Sequence, residues 1–382
     1  MKWEKVRLAD CCESMADGDH LPPPKAESGI PFVTISNIVN NKFDFTNTMF
    51  VPEEYYNNLD SKRKAKQGDI LYSVVGSFGI PVFIDDDIPF VFQRHIAILR
   101  PNSKILPKYL YYTMLSRDFF NMADVAAIGA AQRTITLSSL RNMTISVPTL
   151  SIQKRITDIL SAYDDLIENN QKQIKLLEEA AQRLYKEWFV DLRFPGHEHT
   201  PIVDGVPEGW TYSEIDSVFS IRYGKTLPTS KISSTGKYPV YGANGIIGYY
   251  DEKNCDDYSV LITSRGNGSG DVLRTYDKES FITNNSFIVK ALNENIGFSY
   301  THQLMVHTDF KNIRTGSAQP QLTNNSISTL KIFIPSNTLI DHYCLSTDAI
   351  YKKIIVLLKQ IRLATQARDR LLPKLMSGEM EV

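Results

Sequence analysis

The feature that most constrains this 382-residue chain is an uninterrupted helical pattern from Ser151 to Val190, which contains neither proline nor glycine. Apolar or small residues recur in it at spacings of three and four, which predicts one long helix with an apolar stripe. At 1.5 Å per residue this helix would be roughly 60 Å long, more than one compact domain needs. Asn170 and Gln173 interrupt the stripe, as polar side chains do where they fix the register of paired helices.

A second copy of the pattern, over residues 339–376, supplies the partner that the stripe requires. The offset between the copies is constant, since Ile152 corresponds to Leu339 and Trp188 to Leu375, each 187 positions apart. A lone hairpin or a homodimeric coil would explain a single stripe equally well. The repeat favours a spacer made of two antiparallel helices, with a globular domain at either end.

Length and composition predict two globular domains in a soluble, cytoplasmic protein. A chain of 382 residues exceeds what one core usually organises, and its 42% apolar and 10% aromatic residues are ordinary for globular proteins. Its apolar runs are too short to span a bilayer, so no membrane association is expected. The four cysteines form no CxxC motif and are interpreted as reduced thiols.

The formal net charge of −1 argues against a protein that holds DNA by overall positive charge alone. Any nucleic-acid binding must therefore be local, or shared with another subunit. His197 and His199 form a close histidine pair, but two ligands without a further cluster fall short of a zinc site. We expect no metal in this chain.

The repeat divides the chain into two domains that each precede a long helix. Short apolar runs predict strands before Pro148, and one helix is predicted over 107–121, so the first domain mixes α and β structure. The predicted order is a first domain at 1–150, a first long helix at 151–194, a Pro/Gly-rich linker at 195–209, a second domain at 210–336 and a second long helix at 337–382.

Weaker matches between the domains occur in the same order along the chain. They pair Trp3 with Trp210, Gly29–Val33 with Gly236–Val240, Asn37 with Asn244, Gly76 with Gly266, Gln93–Ile96 with Asn284–Phe287, and Gly129–Gln132 with Gly316–Gln319. The two helix segments are more similar to each other in sequence than the two domains are. This contrast is expected if the helices bind the same kind of partner twice while the domains bind different targets.

Sequence patterns of catalytic sites are missing. The chain has no GxxxxGK[ST] loop for a nucleotide triphosphate, no Glu-x-Lys pattern of metal nucleases, and no Asn/Asp-Pro-Pro-Tyr/Phe pattern of amino-methyltransferases. A stand-alone enzyme therefore has little support. The glycine-rich stretch Arg265–Asp271 is either a bare turn or a loop that approaches DNA, with Arg265, Asn267 and Ser269 supplying donors and acceptors to base edges.

Several local motifs carry a resemblance that covers essentially the whole chain. They are Ile145–Pro148, Ser151–Leu160, Lys186–Phe194, Gly316–Leu322 and Ile332–Pro335. With the repeated plan of domain and long helix, the chain resembles the specificity subunit of type I restriction-modification systems. Two segments depart from the pattern, because Gly129–Ile135 lacks the proline and Ile340–Tyr343 lacks the glutamine and basic residue of the first copy.

The resemblance implies a fold of two pseudo-symmetric α+β target recognition domains separated by two long antiparallel coiled-coil helices. Each domain would read one half of a bipartite, asymmetric site in double-stranded DNA, and the helix pair would set the gap. The chain itself would have no catalytic site and bind no cofactor. Two adenine methyltransferase subunits would dock on the helices, and ATP-driven restriction subunits would join them, bringing S-adenosylmethionine, ATP and Mg²⁺.

Candidate residues follow from loop position and side-chain chemistry, because Arg can pair with guanine and Asn with adenine by two hydrogen bonds each. For DNA binding they are Lys25, Asn37, Ser77, Arg94, Arg133, Lys225, Asn244, Arg265, Asn267 and Asn285. For subunit binding on the helices they are Ile152, Tyr163, Trp188, Leu339, Ile350 and Leu375. The alternative is a non-enzymatic scaffold with two carbohydrate- or protein-binding domains on a coiled-coil spacer, which specific binding to duplex DNA would exclude.

Overall fold

Two long helices account for the repeated apolar pattern. The computed structural model describes residues 3–20, 22–129, 133–316 and 319–382. In it the first long helix spans Leu150–Tyr185 and the second long helix spans Asn337–Ser377. A π-helical turn, Lys186–Val190, extends the first long helix.

The first domain is a set of short strands and helices that precedes the first long helix. Its strands are β1 (Glu4–Arg7), β2 (Cys12–Asp17), β3 (Ile30–Val33), β4 (Ile38–Val39), β5 (Lys42–Phe43), β6 (Met49–Val51), β7 (Ile70–Ser73), β8 (Pro81–Phe83), β9 (Val91–Phe92), β10 (Ile96–Pro101) and β11 (Thr144–Val147). Its helices are α1 (Glu53–Asn58), α2 (Pro107–Leu115), α3 (Arg117–Ala126) and α4 (Leu137–Asn142). The single helix predicted over 107–121 is wrong, because it breaks at Ser116, whose hydroxyl caps α3 by accepting from the Phe119 N–H.

The second domain repeats this order after a linker hairpin. The hairpin strands are β12 (Ile202–Val203) and β13 (Val206–Pro207). The domain strands are β14 (Thr211–Glu214), β15 (Phe219–Tyr223), β16 (Tyr238–Gly242), β17 (Gly245–Tyr250), β18 (Val260–Thr263), β19 (Val272–Arg274), β20 (Phe281–Ile282), β21 (Ser286–Ala291) and β22 (Lys331–Ile334). Its helices are α6 (Ile215–Val218), α7 (Phe298–His307) and α8 (Asn324–Ser328), where α5 and α9 denote the first and second long helices.

The sheets of the two domains have the same topology. The order β2-β10-β7-β8 in the first domain recurs as β15-β21-β18-β19 in the second, with antiparallel neighbours throughout. A second sheet, β6-β3-β9, recurs as β17-β16-β20, and each contains one parallel pair. The pairs β1-β11 and β14-β22 also match. The predicted pseudo-symmetric α+β domains are therefore confirmed.

Backbone pairing corrects two of the predicted matches by one residue. Val33 pairs with Phe92 as Tyr241 pairs with Ile282, so the counterpart of Val33 is Tyr241 and not Val240. In the same way the isolated bridge Asp19↔Gln93 recurs as Lys225↔Thr283, which makes Thr283 the counterpart of Gln93. Ladder hydrogen bonds and burial fix strand register, and both tolerate a change of side chain, so sequence similarity alone misplaces short strands by one position.

The match of Trp3 with Trp210 is confirmed, since each directly precedes the first strand of its domain, β1 or β14. Gly76 and Gly266 are equivalent, since their N–H groups donate to the carbonyl oxygens of Arg133 and Pro320, each at 3.0 Å. The match of Asn37 with Asn244 is wrong, because a 3-10 turn and the β4-β5 hairpin follow β3, whereas a direct hairpin follows β16. The motifs at 129–132 and 316–319 lie largely outside the described residues, which exclude 130–132 and 317–318.

One compact unit comprises residues 1–167 and 362–382. Its core is completed by the beginning of the first long helix and the end of the second, where Ile156, Leu160 and Leu375 are fully buried against the first domain. Burying such a side chain contributes about 1.5–3 kcal/mol. The two helix segments are antiparallel here, since the Arg368 guanidinium donates to Asp164 at 2.7 Å and Arg155 donates to the Val382 carbonyl at 2.9 Å.

The other compact unit comprises residues 168–361 and has the same construction with the helix roles exchanged. Here the end of the first long helix and the beginning of the second complete the core of the second domain. The Tyr343 hydroxyl donates to the Ala181 carbonyl oxygen at 3.1 Å, and Asn170 donates to Gln360 at 3.2 Å. The segments are again antiparallel. Asn170 is buried, in agreement with its predicted place as a polar interruption of the stripe.

Among the described residues, no helix combines the length with the apolar character that crossing a membrane would require.

Candidate nucleic-acid interface

In the second domain, the ends of several strands bring most of the candidate residues to one edge. The N–H of Asn284 donates to the Lys225 carbonyl oxygen at 3.1 Å, and the N–H of Ser264 donates to Asn285 at 2.8 Å. The Thr263 hydroxyl donates to the carbonyl oxygen of Ala243 at 2.7 Å. We call this place the second-domain edge. Its exposed members are Lys225, Asn244, Arg265, Asn267 and Asn285.

The loop that carries Arg265 is a tight turn held from within. Gly266 has φ +84°, a conformation that favours glycine, and the Ser269 N–H donates to its carbonyl oxygen at 2.9 Å. Ser269 is fully buried and its hydroxyl donates to the Ser264 carbonyl oxygen, so of the three side chains considered for a DNA-approaching loop it alone is not available to a base edge. Within the described residues, the Arg265 side chain has no hydrogen-bond or ion-pair partner, and its guanidinium is exposed. Its donors are free for a ligand.

In the first domain the equivalent edge gathers Ser77, Arg94 and Arg133. The Arg133 carbonyl oxygen accepts from the N–H of Gly76 at 3.0 Å, and the Arg94 N–H donates to the Asp19 carbonyl oxygen at 3.0 Å. All three candidate side chains are exposed. We call this place the first-domain edge.

Arg133 is restrained where Arg265 is free. Its guanidinium forms an ion pair with Asp124 of α3 and also donates to the Asp124 carbonyl oxygen. It lies over the ring of Phe78, 5.4 Å from the centroid. To reach a base, Arg133 must leave Asp124.

Two first-domain candidates do not join this edge. Lys25 is exposed beside Ala26, which pairs with Phe50 of β6, whereas the first-domain edge follows β9 on the other side of β3. The Asn37 side chain is half-buried; it accepts from the Thr34 N–H at 2.9 Å and donates to Asp44 at 3.3 Å. Asn37 therefore stabilises its own turn.

Sequence reasoning missed Asp19, which occupies the position equivalent to Lys225. Its carboxylate accepts from the Tyr55 hydroxyl and lies 3.9 Å from Arg63. A glycine precedes each of these two residues and could have marked the position in the sequence. Only glycine fits there, because a Cβ on Gly18 or Gly224 would lie 2.3 Å from a carbonyl oxygen of the neighbouring turn. The two edges thus place opposite charges at equivalent positions.

The predicted subunit-binding residues of the helices mostly face the chain's own core. Leu375 is fully buried and Leu339 nearly so, while the others are half-buried. The exposed apolar positions are different ones. Leu176 and Leu363 are 65% and 56% exposed, and they are 187 positions apart, so the duplication repeats this exposed leucine.

The described residues hold no cluster of metal ligands, and two neighbouring cysteines are kept protonated. No group of three or more His, Cys, Asp or Glu side chains among them could hold a metal ion. Burial raises the pKa of Cys11 to about 11 and that of Cys12 to about 12, so both thiols are protonated at neutral pH and are poor nucleophiles.

Comparison with known proteins shows that the same family model matches both halves of the chain. A family model described as "Type I restriction modification DNA specificity domain" matches residues 1–179 and again residues 207–345. The two matched ranges contain the two domains together with their edges.

Relatives with this description align along much of the chain. It is 25% identical to the type I restriction enzyme MjaIX specificity subunit of Methanocaldococcus jannaschii, over 100% of this chain and 94% of that protein. It is 29% identical to the HindI specificity subunit of Haemophilus influenzae, over 50% of this chain and 41% of that protein.

A solved structure shares the fold. The S subunit of a type I restriction-modification system from M. genitalium has a TM-score of 0.63 and 19% sequence identity, covering 98% of this chain and 96% of that one. At this identity the similarity concerns the fold alone.

Proposed function

The chain belongs to the type I restriction-modification DNA specificity family and has two target recognition domains, and on that premise we propose that each domain reads one half of a bipartite, asymmetric site in double-stranded DNA. The subunit would do this without catalysis of its own. Methylation and cleavage would be carried out by methyltransferase and restriction subunits in the cytoplasm, with S-adenosylmethionine, ATP and Mg²⁺ bound to them.

One observation carries this proposal: the same edge occurs in both domains on the same scaffold, with different side chains. Lys225, Arg265 and Asn285 stand where Asp19, Val75 and His95 stand in the first domain, as the matching bridges and hydrogen bonds show. Because the backbone framework is the same in both domains, side chains at equivalent positions of the two edges are held in the same way. Different side chains there would read different bases, as a bipartite asymmetric site requires.

The test uses the complex of this chain with its methyltransferase subunits. Methylome sequencing of a host that carries them supplies the motif, and binding to motif and scrambled duplexes is then measured at fixed salt. We expect Arg265→Ala to weaken binding by about 5- to 150-fold, since one bidentate contact discriminates by about 1–3 kcal/mol. The loss of affinity caused by Arg265→Ala should disappear on duplexes in which one half-site, the one read by the second domain, is scrambled.

Lys331→Ala is the matched control, because it also removes one exposed positive charge but lies on β22, where it packs over Tyr212. An equal loss for Arg265→Ala on motif and scrambled DNA would identify a phosphate contact instead. A parent complex with no preference for the motif would reject DNA reading and favour the scaffold.

The duplicated exposed leucines, Leu176 and Leu363, support docking of two identical methyltransferase subunits on the helices. A large exposed apolar side chain gains free energy when a partner covers it, and a repeated one is expected where the same partner binds twice. We expect Leu176→Glu and Leu363→Glu each to remove one methyltransferase subunit, and the double variant to remove both.

Native mass spectrometry of the co-purified complex measures this directly, as two-to-one, one-to-one and free masses. Leu345→Glu is the matched control, because Leu345 is 77% exposed on the second long helix but its counterpart 187 positions earlier is Asp158. A double variant that still carries two methyltransferase subunits would exclude this docking surface.

We further infer that the helix pair sets the gap between the half-sites. Inserting four residues beside Asn170 and four beside Gln360, which are hydrogen-bonded to each other, should lengthen both helices by roughly 6 Å and rotate their ends by about 40°. On B-DNA this is close to one or two base pairs. The methylated motif should keep both half-sites and change only its gap; an unchanged gap would exclude a rigid spacer.

A further inference from the structure

The first domain carries an exposed apolar surface on α3 and the segment after it. Phe120 is 40% exposed, Met122 37%, Val125 87% and Ile128 60%. Four such side chains within nine consecutive residues are unusual on a folded surface, where single exposed apolar residues are the norm. We call these four residues the α3 surface.

The α3 surface is continuous with the first-domain edge. Phe78, next to the candidate Ser77, stacks on Phe120 with ring centroids 5.9 Å apart and planes 6° from parallel. A Cβ on Gly79 would lie 2.7 Å from the Phe120 ring, so the loop can approach α3 only with glycine there. Arg133 joins the two elements, since it lies over Phe78 and pairs with Asp124 of α3.

Among the described residues of the second domain, which exclude 317 and 318, no such surface occurs at the equivalent place. Thr315 pairs with Gln321 as Ile128 pairs with Thr134, so Thr315 is the counterpart of Ile128. The chain before Thr315 is a three-residue turn, Lys311–Ile313, in place of the ten-residue helix α3. The first domain therefore presents an apolar surface beside its edge, whereas the described residues at the equivalent place in the second domain expose the polar side chains of Lys311, Asn312 and Thr315.

We propose that the α3 surface contacts thymine methyl groups in the half-site read by the first domain, an assignment that rests on the function proposed above. The thymine C5-methyl group projects into the major groove and is the base feature that an apolar side chain recognises. A methyltransferase that binds twice would require the surface in both domains, whereas a base-reading surface is expected to differ between them.

The first measurement replaces single thymines of the motif duplex with deoxyuridine, which removes only the methyl group. The binding protein is the complex with its methyltransferase subunits. The half-site read by the first domain is the one whose scrambling does not abolish the loss of affinity caused by Arg265→Ala. An adenine-methylated half-site always contains a thymine opposite that adenine. We expect about a fourfold loss of affinity for each contacted methyl, at one or more positions of this half-site.

The second measurement repeats the comparison with Val125→Ser and Ile128→Ser. These variants should bind the thymine duplex more weakly and should no longer distinguish it from the deoxyuridine duplex. Ile88→Thr is the matched control, since Ile88 is 47% exposed in the same domain but lies after β8, at the opposite end of β7 from Ser77. It should keep the parent's discrimination.

Three results would overturn the assignment. The parent complex could bind thymine and deoxyuridine duplexes equally, or the serine variants could lose affinity for both and keep their ratio. Loss of a methyltransferase subunit from the serine variants in native mass spectrometry would make the surface a protein-docking site. If the parent complex binds motif and scrambled DNA alike, the proposed function fails instead, so the two failures are distinguishable.

Discussion

The two domains share a scaffold but differ where the last strand of the four-stranded sheet contacts a domain helix, which is α2 in the first domain and α7 in the second. Phe83 and Arg274 occupy equivalent positions, since Phe83 pairs with Ile70, the first residue of β7, and Arg274 pairs with Val260, the first residue of β18. Phe83 packs against Tyr111 with ring centroids 5.9 Å apart. Arg274 is instead buried and forms an ion pair with Glu178 of the first long helix at 2.5 Å. At this one position the first domain has an aromatic ring and the second domain has a buried charge.

A buried histidine accompanies this charge in the second unit. His302 lies 3.3 Å from the Arg274 guanidinium and 2.8 Å from the hydroxyl of Tyr351, measured from Nδ1. Burial, and next the charge of Arg274, lower the pKa of His302 well below its ordinary value, so it is neutral. Equivalent packing can thus be built from apolar or from ionic side chains, but only the ionic version depends on its partners and on pH.

The largest expected effect breaks this contrast at Arg274. Arg274→Ala should destabilise the second unit by about 2 kcal/mol, because removing the buried guanidinium leaves a cavity and takes a partner from buried His302, while Glu178, whose side chain is 45% exposed, is left to solvent. Hydrogen exchange of the β18 and β21 amides measures the loss. Phe83→Ala is the matched change, and its effect should be confined to the first unit.

A double variant sharpens the same comparison. Tyr111 and His302 are equivalent, since each is the fifth residue of its helix, α2 or α7. Arg274→Phe with His302→Tyr therefore copies Phe83 and Tyr111 into the second domain, and it should recover most of the stability that Arg274→Ala loses. No recovery would show that the two cores are not interchangeable despite their common register.

An intermediate effect concerns pH. The unfolded chain binds a proton at His302 below about pH 6.5, while the folded chain does not until a much lower pH, because the folded pKa is depressed. The second unit should therefore lose about 1.4 kcal/mol per pH unit as the pH falls below about 6.5, with no contribution above it. Denaturation of the parent and of His302→Gln at several pH values gives the difference. An identical pH dependence would exclude His302 as its source.

The smallest effect tests the restraint on Arg133. Asp124→Asn removes the ion pair of this guanidinium but keeps its contacts with the Asp124 carbonyl oxygen and Phe78. With the ion pair gone, Arg133 should reach DNA more readily, raise affinity by a few-fold at low salt, and steepen the plot of log affinity against log salt by about one. Asp118→Asn removes the same charge from the same helix without a contact to Arg133, and is the control. Equal slopes in the two variants would mean that Arg133 does not reach a phosphate.

Local pattern was sufficient for the architecture. The stripe through Ile156 and Leu160 and its copy through Leu375 predicted two long helices, and the stripe's demand for a partner predicted their antiparallel pairing. The N-caps of two short helices show the same local determination. Thr136 caps α4 by accepting from the Ser139 N–H, and Thr323, 187 positions later, caps α8 by accepting from the Ser326 N–H. Such signals are local in sequence and survive duplication.

The candidate residues could be predicted only by type and loop position. Arg265 and Asn285 were found because each lies just beyond a strand, and the strand ends meet. Ser269 and Asn37 have the same chemistry, but their polar atoms are used within their own turns. Nothing in the sequence marks that difference, because hydrogen bonds inside a turn depend on backbone conformation.

The sequence by itself determined the duplication, the order of the elements and the antiparallel helices, since these follow from spacing along the chain. Only the tertiary structure decided which side chains are free. It places Asp19 and Lys225 at equivalent positions of the two domains and pairs Arg133 with Asp124. It also leaves Leu176 and Leu363 exposed and buries Leu375. The physical reason is that periodicity reports which face of an element is apolar, whereas the availability of one side chain depends on neighbours that are remote in sequence.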